Sequence, residues 1–190
     1  MKIGITGADG VIGSCLRTHW SSPHEVIAIG NESDLRSQGQ WMERLGAAET
    51  IVHLAAQYEP AEALETMADS IDMTVNLVRA AGLARRIVFA SSMWAKHWET
   101  SLGPNGSYYA ASKRASEAIV RGWSDVNRRP AISLRLGHYG SPIGTIPTEH
   151  ELLRIDDAAL KWWFDKAIGH NEPEYRVWQA IGRLKDGGEP

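Results

Sequence analysis

Residues 2–13, KIGITGADGVIG, constrain the fold of this chain more than any other stretch. A short apolar run, KIGIT (2–6), enters a turn with glycines at 7, 10 and 13, and the turn opens a helix-like segment, VIGSCLRTHW (11–20). The same alternation continues to the C-terminus. EVIAIG (25–30), TIVHLAA (50–56), RIVFASS (86–92), AISLRLG (131–137) and YRVWQAI (175–181) read as strands. Helical segments lie between them, around WMERLG (41–46) and over 60–82, 108–123 and 156–168. In 60–82 the period runs through Leu64, Met67, Ile71, Val75 and Val78, with Gly82 as the stop. Strands that alternate with helices and are apolar throughout predict a parallel sheet covered on both faces.

The glycines have separate tasks in such a turn. Gly7 allows the tight bend, Gly10 lets a pyrophosphate approach the backbone, and Gly13 lets the helix pack on the sheet. Free N–H groups at the helix start, together with the helix dipole, attract phosphate. This predicts a dinucleotide site at the end of the first strand.

A second motif lies in SYYAASK (107–113). Residues i and i+4 share a helix face, whereas i and i+5 do not. Tyr109 and Lys113 therefore point together into one cavity, and Tyr108 looks elsewhere.

Composition narrows the class. At 190 residues, 43% of them apolar, the chain is long enough for one domain with a real core. A net charge of −3 argues against a nucleic-acid surface. The single cysteine, Cys15, excludes an internal disulfide, fits a reducing compartment and reads as core. The start MKIGITGADG is a strand and a turn, not a signal peptide, and no apolar run reaches the roughly 20 residues of a membrane span. The expected location is the cytoplasm, with no membrane partner. The seven histidines (19, 24, 53, 97, 138, 150, 170) show no metal-ligand spacing, so no metal is expected. His53 reads as a core histidine, and His138 is the one to test for function.

With these motifs in view, the chain resembles the extended short-chain dehydrogenase/reductase family of NAD-dependent epimerases, dehydratases and dehydrogenases. The matching residues are TGADGVIG (6–13), HLAA (53–56), VFASS (88–92), YYAASK (108–113) and LRLGHYGSP (134–142). Within the family, RIVFASS followed by PNGSYYAASK is most similar to uronate dehydrogenases. The resemblance implies an α/β fold, a Rossmann-type doubly wound parallel sheet with a minimal C-terminal substrate-binding segment. It implies one NAD(P)-binding domain over 1–190, with 143–190 contributing a small lid or a dimer segment.

It also implies a site. Gly7, Gly10, Val11, Ile12 and Gly13 would hold the pyrophosphate, Asn31, Asp34 and Leu35 the adenosine, and Leu54, Ala55 and Ala56 the region near the ribose. Gly137 and His138 would pass beside the nicotinamide. Ser92, Tyr109 and Lys113 would be catalytic, and Tyr109 and Lys113 would also touch the cofactor. A free phenol has a pKa of about 10, and a nearby ammonium favours the phenolate. Tyr109 would take the proton of a substrate hydroxyl while hydride leaves carbon, and Ser92 would hold the substrate oxygen. The expected activity is that of an NAD(P)-dependent oxidoreductase interconverting a hydroxyl and a carbonyl on a small sugar-like or polar substrate. The alternatives are a sugar epimerase and a catalytically weak dinucleotide-binding sensor or scaffold. A homodimer is implied through the helices at 60–82 and 108–123.

The sequence departs from the pattern in four places. The second strand ends on Gly30 and Asn31 where an acid usually serves NAD; Glu32 is near, and Arg36 could meet a 2′-phosphate, so NAD and NADP both stand. Ser70 takes the place of an asparagine. MWAKHW (93–98) has apolar walls in Trp94 and Trp98 and positive charge in Lys96 and His97, where dehydratases carry acids. Finally, the 48 residues 143–190 are few for gripping a nucleotide sugar, which points to a smaller substrate, with Trp162–Trp163–Phe164 as core, dimer face or pocket roof.

Overall fold

The computed structural model describes residues 1–57, 63–96, 103–140 and 153–182, with the side chains of 63 and 103–107 left aside. Six strands form one parallel sheet: β1 (Lys2–Thr6), β2 (Glu25–Ile29), β3 (Thr50–His53), β4 (Arg86–Ser92), β5 (Ala131–Leu136) and β6 (Tyr175–Ala180). Their order is β2-β1-β3-β4-β5-β6, all pairs parallel. The helices are α1 (Val11–Trp20), α2 (Gln40–Gly46), α3 (Ala63–Ala80), α4 (Gly103–Asn127) and α5 (Asp157–Gly169), with a 3₁₀ turn at Met93–Lys96. This is the doubly wound Rossmann arrangement expected from the alternation. The chain order reverses between β1 and β3, so a crevice opens at the carboxyl ends of those two strands.

Alternate residues of each strand feed two cores. On one face Ile3, Ile5, Val52, Val88, Ala90, Ile132 and Leu134 pack with Leu16 and Trp20 of α1 and Leu160 and Phe164 of α5. On the other face Ile51, Ile87, Phe89 and Ala131 pack with Leu45 of α2, Leu77 of α3 and Val120 and Trp123 of α4. That period of two explains why the strands read as unbroken apolar runs. Gly4 makes room on the α2 face, where a Cβ would lie 2.5 Å from Leu45 Cδ1.

α4 is longer than its apolar period suggests. The segment 103–107 (GPNGS) carries no helical pattern, yet the backbone is helical from Gly103. α3 is described from Ala63, so the expected start at 60 lies outside the described residues. Between β2 and α2 there is no further strand, in keeping with the short run to Asp34. Of 143–190, residues 157–180 carry α5 and β6, which belong to the sheet and its core; 143–152 and 183–190 lie outside the described residues. No helix among the described residues is long and apolar enough to cross a membrane.

Candidate active site

Every strand that carries a predicted site residue delivers it at its carboxyl end. β1 leads into Gly7, β3 into Leu54–Ala56, β4 ends on Ser92 and β5 leads into Gly137. Gly7 has φ of +68°, and a Cβ there would lie 2.8 Å from the Ala55 amide nitrogen. Only glycine fits both demands. A Cβ on Gly13 would meet Gly7 O at 2.2 Å, so the first turn of α1 rests directly on the loop. Gly10 caps α1 and donates its N–H to Gly7 O at 3.1 Å.

Two cavities open along this edge. The first, about 510 Å³, is lined by Gly7, Gly10, Asn31, Asp34, Leu35, Leu54, Ala55 and Ala56, and also by Gly30, Glu32, Ser33, Arg36, Gln57 and Met73. Eight of the predicted cofactor residues thus meet around one space. Val11 and Ile12 do not line it: Val11 is exposed and Ile12 packs against the α1-side core. Gly13 is buried beneath the loop.

The rim of this cavity carries charges whose pairing the sequence did not reveal. Asp9 Oδ2 accepts from Asn31 N at 2.9 Å, and Glu32 Oε1 accepts from Gly30 N at 3.3 Å. A Cβ on Gly30 would lie 2.0 Å from Asp9 Oδ2 and 2.8 Å from Glu32 Oε2, so two carboxylates flank the end of β2. Hydrogen bonds from its own backbone N–H and from that of Gly30 hold the Glu32 carboxyl below its usual range. Arg36, the candidate for a 2′-phosphate, is already engaged: it donates to Asp34 at 2.9 and 3.1 Å and to Asp69 at 3.1 Å.

The second cavity, about 420 Å³, is lined by Ser92, Met93, Trp94, Tyr109, Leu136, Gly137, His138 and Tyr139. Ser92, Tyr109, Gly137 and His138 therefore come together. Trp94 supplies an apolar wall, its ring edge-to-face with Tyr109 at 5.9 Å. Ser92 Oγ accepts from Trp94 N at 3.2 Å, which fixes the hydroxyl at the mouth of the 3₁₀ turn. Tyr108 is 38% exposed and turns away, as the helix spacing requires. His97 and Trp98 lie outside the described residues.

The shared helix face predicts Lys113 in the cavity with Tyr109, but Lys113 does not enter it; it lies behind the Tyr109 ring and lines neither cavity, because its side chain is drawn into the buried interior beside β4. It is 4% exposed, donates to Ala90 O at 2.8 Å and sits 5.5 Å from the Tyr109 ring centre and 5.0 Å from that of Phe89. Burial pushes its pKa down to about 8, and the Glu117 carboxylate works against that fall. His53 is fully buried, with Thr6 Oγ1 at 2.6 Å and Thr74 Oγ1 at 3.3 Å from its two ring nitrogens. Burial, reinforced by the charge of Lys113, lowers its pKa to about 3, so it is neutral, as a core histidine should be. Ser70, in the place of an asparagine, is buried and accepts from Gln57 N at 3.2 Å, tying α3 to the loop after β3.

The other singled-out residues lie elsewhere. Phe164 is core, while Trp162 and Trp163 are half-buried and face Lys166, outside both cavities. Cys15 is half-buried against the α1-side core. His170, Glu172 and Glu174 bring ligand atoms within 4.8 Å of one another, and Arg176 donates to both carboxylates.

A model of the NAD dependent epimerase/dehydratase family matches residues 3–156. The chain belongs to that family. Solved structures with this fold include a mutated uronate dehydrogenase, 18% identical with a TM-score of 0.76, where the match covers 97% of this chain and 78% of the other. A UDP-glucose 4-epimerase from Thermus thermophilus in complex with NAD is 19% identical, with a TM-score of 0.74 and coverage of 95% and 78%. RMD from Pseudomonas aeruginosa, complexed with NADPH, is 16% identical, with a TM-score of 0.67 and coverage of 93% and 75%. No curated protein matches the chain. Membership of the epimerase/dehydratase family makes the protein an enzyme of NAD-linked chemistry, and the low identities leave the choice of reaction to the residues themselves.

Proposed function

We propose that the protein is an NAD-dependent oxidoreductase that interconverts a hydroxyl and a carbonyl on a small sugar-like or polar substrate, with Ser92, Tyr109 and Lys113 as its catalytic residues. The observation that carries this is the shared cavity: Ser92 and the Tyr109 ring line it together, with the buried Lys113 ammonium directly behind the ring. The space of about 420 Å³ suits a monosaccharide-sized ligand.

Gly7, Gly10, Asn31, Asp34, Leu35 and Leu54–Ala56 would hold the cofactor, with its pyrophosphate at the glycine turn that opens α1. Bound there, the cofactor supplies a hydride acceptor. Ser92 Oγ orients the substrate hydroxyl, Tyr109 takes its proton, and the positive charge of Lys113 favours the phenolate. Gly137 and His138 line the same cavity as Ser92 and Tyr109 and would pass beside the nicotinamide. NAD is the preferred form because Asp9 and Glu32 flank the end of β2 and Arg36 is engaged by Asp34 and Asp69, so a 2′-phosphate would face carboxylates.

The single-domain reading is supported where 143–190 is described: α5 and β6 join the same sheet and core, and His138 N donates to Leu153 O at 2.9 Å and Ile155 N to His138 O at 3.0 Å. α3 and α4 lie side by side on one face of the sheet and would form the homodimer face, which light scattering of the purified protein tests through its mass.

The test of activity is NADH formation against a panel of aldoses, uronates and polyols, with Tyr109→Phe as the variant. Turnover should fall by about 10²–10⁴-fold while NAD binding, read by calorimetry, is retained. Sugar inversion with no net NADH would select the epimerase reading, and full activity in Tyr109→Phe would remove the assigned chemistry.

A further inference from the structure

One buried charged group near the site has no part in the reaction described above. Glu117 lies one helical turn beyond Lys113 on α4, as Lys113 lies one turn beyond Tyr109, so the three form a stripe at i, i+4 and i+8. The Glu117 side chain is 4% exposed. Ser91 Oγ donates to its Oε1 at 2.7 Å, Arg135 Nε to Oε1 at 2.9 Å, Arg135 Nη2 to Oε2 at 2.9 Å and Arg114 Nη1 to Oε2 at 3.1 Å. Three segments of the fold therefore hold one carboxylate: β4 through Ser91, β5 through Arg135 and α4 through Arg114. A two-pronged arginine contact with a further hydroxyl donor fixes both oxygens in place.

We propose that Glu117 is a positioning residue for Lys113: clamped by Ser91 and Arg135, its carboxylate keeps the buried ammonium charged and aimed along the helix face shared with Tyr109. The proposal rests on the catalytic reading of Tyr109 and Lys113 given above. Around Lys113, His53 on β3 is neutral, Phe89 on β4 offers a ring face, and Tyr109 on α4 offers a phenol. Arg135 and Arg114 bring positive charge to Glu117 itself, and Tyr175 on β6 lies beside that same group. Among these described groups, Glu117 supplies the negative charge that acts on Lys113. Removing it would also leave Arg135, whose side chain is 12% exposed, as an uncompensated cation nearby.

A structural ion pair alone would change stability and leave titration in place. The experiment therefore follows the Lys113 side chain directly, by NMR of protein labelled with [13C]lysine, its signal assigned with Lys113→Arg, alongside the pH profile of turnover. In Glu117→Gln, Lys113 should lose its proton about one pH unit or more lower than in the wild type, and the alkaline arm of the rate profile should move down with it. Glu117→Asp should restore part of both. Arg135→Met, which unmasks the carboxylate, should move Lys113 the opposite way, and it serves where Glu117→Gln does not fold. An unchanged Lys113 titration in Glu117→Gln, or a shift of the same sign in Arg135→Met, overturns the proposal whatever the activity. If Lys113 shifts as expected but the wild type oxidises no substrate, the hold of Glu117 on Lys113 stands and the reaction assigned above falls.

Discussion

Replacing Lys113 by methionine should change the pH dependence of folding in a way that reports its burial. Lys113 titrates near 8 in the folded protein, against an ordinary 10.5. Between those values the unfolded chain holds the proton and the folded chain does not. Stability must therefore rise with pH across that window, and the cost of burying the ammonium is fully present below it. At about 1.4 kcal/mol per pH unit, the whole cost is on the order of 3 kcal/mol. Methionine carries no such cost. The difference in unfolding free energy, wild type minus Lys113→Met, should climb by about 3 kcal/mol between pH 7 and pH 10.5. Loss of the Ala90 carbonyl contact and of the Phe89 ring contact shifts the whole difference without giving it a slope. Urea unfolding at four or five pH values, read by tryptophan fluorescence, measures it directly. Groups that titrate alike in both proteins cancel. A difference that stays flat, or falls, across this range would refute the claim that Lys113 is a buried ammonium held against its solvation. It would also remove the reason for placing it beside a phenolate.

The other predictions concern separate parts of the molecule. His53 titrates near 3 folded and 6.5 unfolded, so acid should cost about 1.4 kcal/mol per unit as pH falls below 6.5; His53→Gln should flatten that slope in urea midpoints taken at pH 7, 6 and 5. Gly13→Ala should destabilise by about 3 kcal/mol, because the new methyl meets Gly7 O at 2.2 Å and Ala8 backbone at 2.8 Å; Gly82→Ala, with nothing within 4 Å, should move Tm little. Glu32→Gln should narrow the ratio of NADP to NAD dissociation constants, measured by calorimetry, and an unchanged ratio would exclude Glu32 from selection of the cofactor.

Much of the fold was legible in the residues. Among the described residues the six strands and, apart from the early start of α4 at Gly103, the five helices fall where the apolar periods put them, because a strand buried on both faces and an amphipathic helix each leave a local mark. The glycine loop was legible for the same reason: a positive φ at Gly7 and the absent Cβ at Gly13 are demands on single positions. The spacing of Tyr109 and Lys113 told which tyrosine faces the lysine. Val11 and Ile12 belong to the same motif but do not line the cavity: Val11 is exposed and Ile12 packs against the α1-side core. The pairing of Asp9 with Asn31, 22 residues apart, and of Glu117 with Arg135, 18 apart, had no counterpart in any local pattern.

Where strands, turns and helix faces begin was written in the order of the residues, because these depend on sterics and on a repeat of two or 3.6 residues. The protonation states of Lys113 and His53, and the carboxylates that stand at the end of β2, were settled by folding. Those properties come from excluded water and from groups brought close across the sheet, and neither is a property of neighbours along the chain.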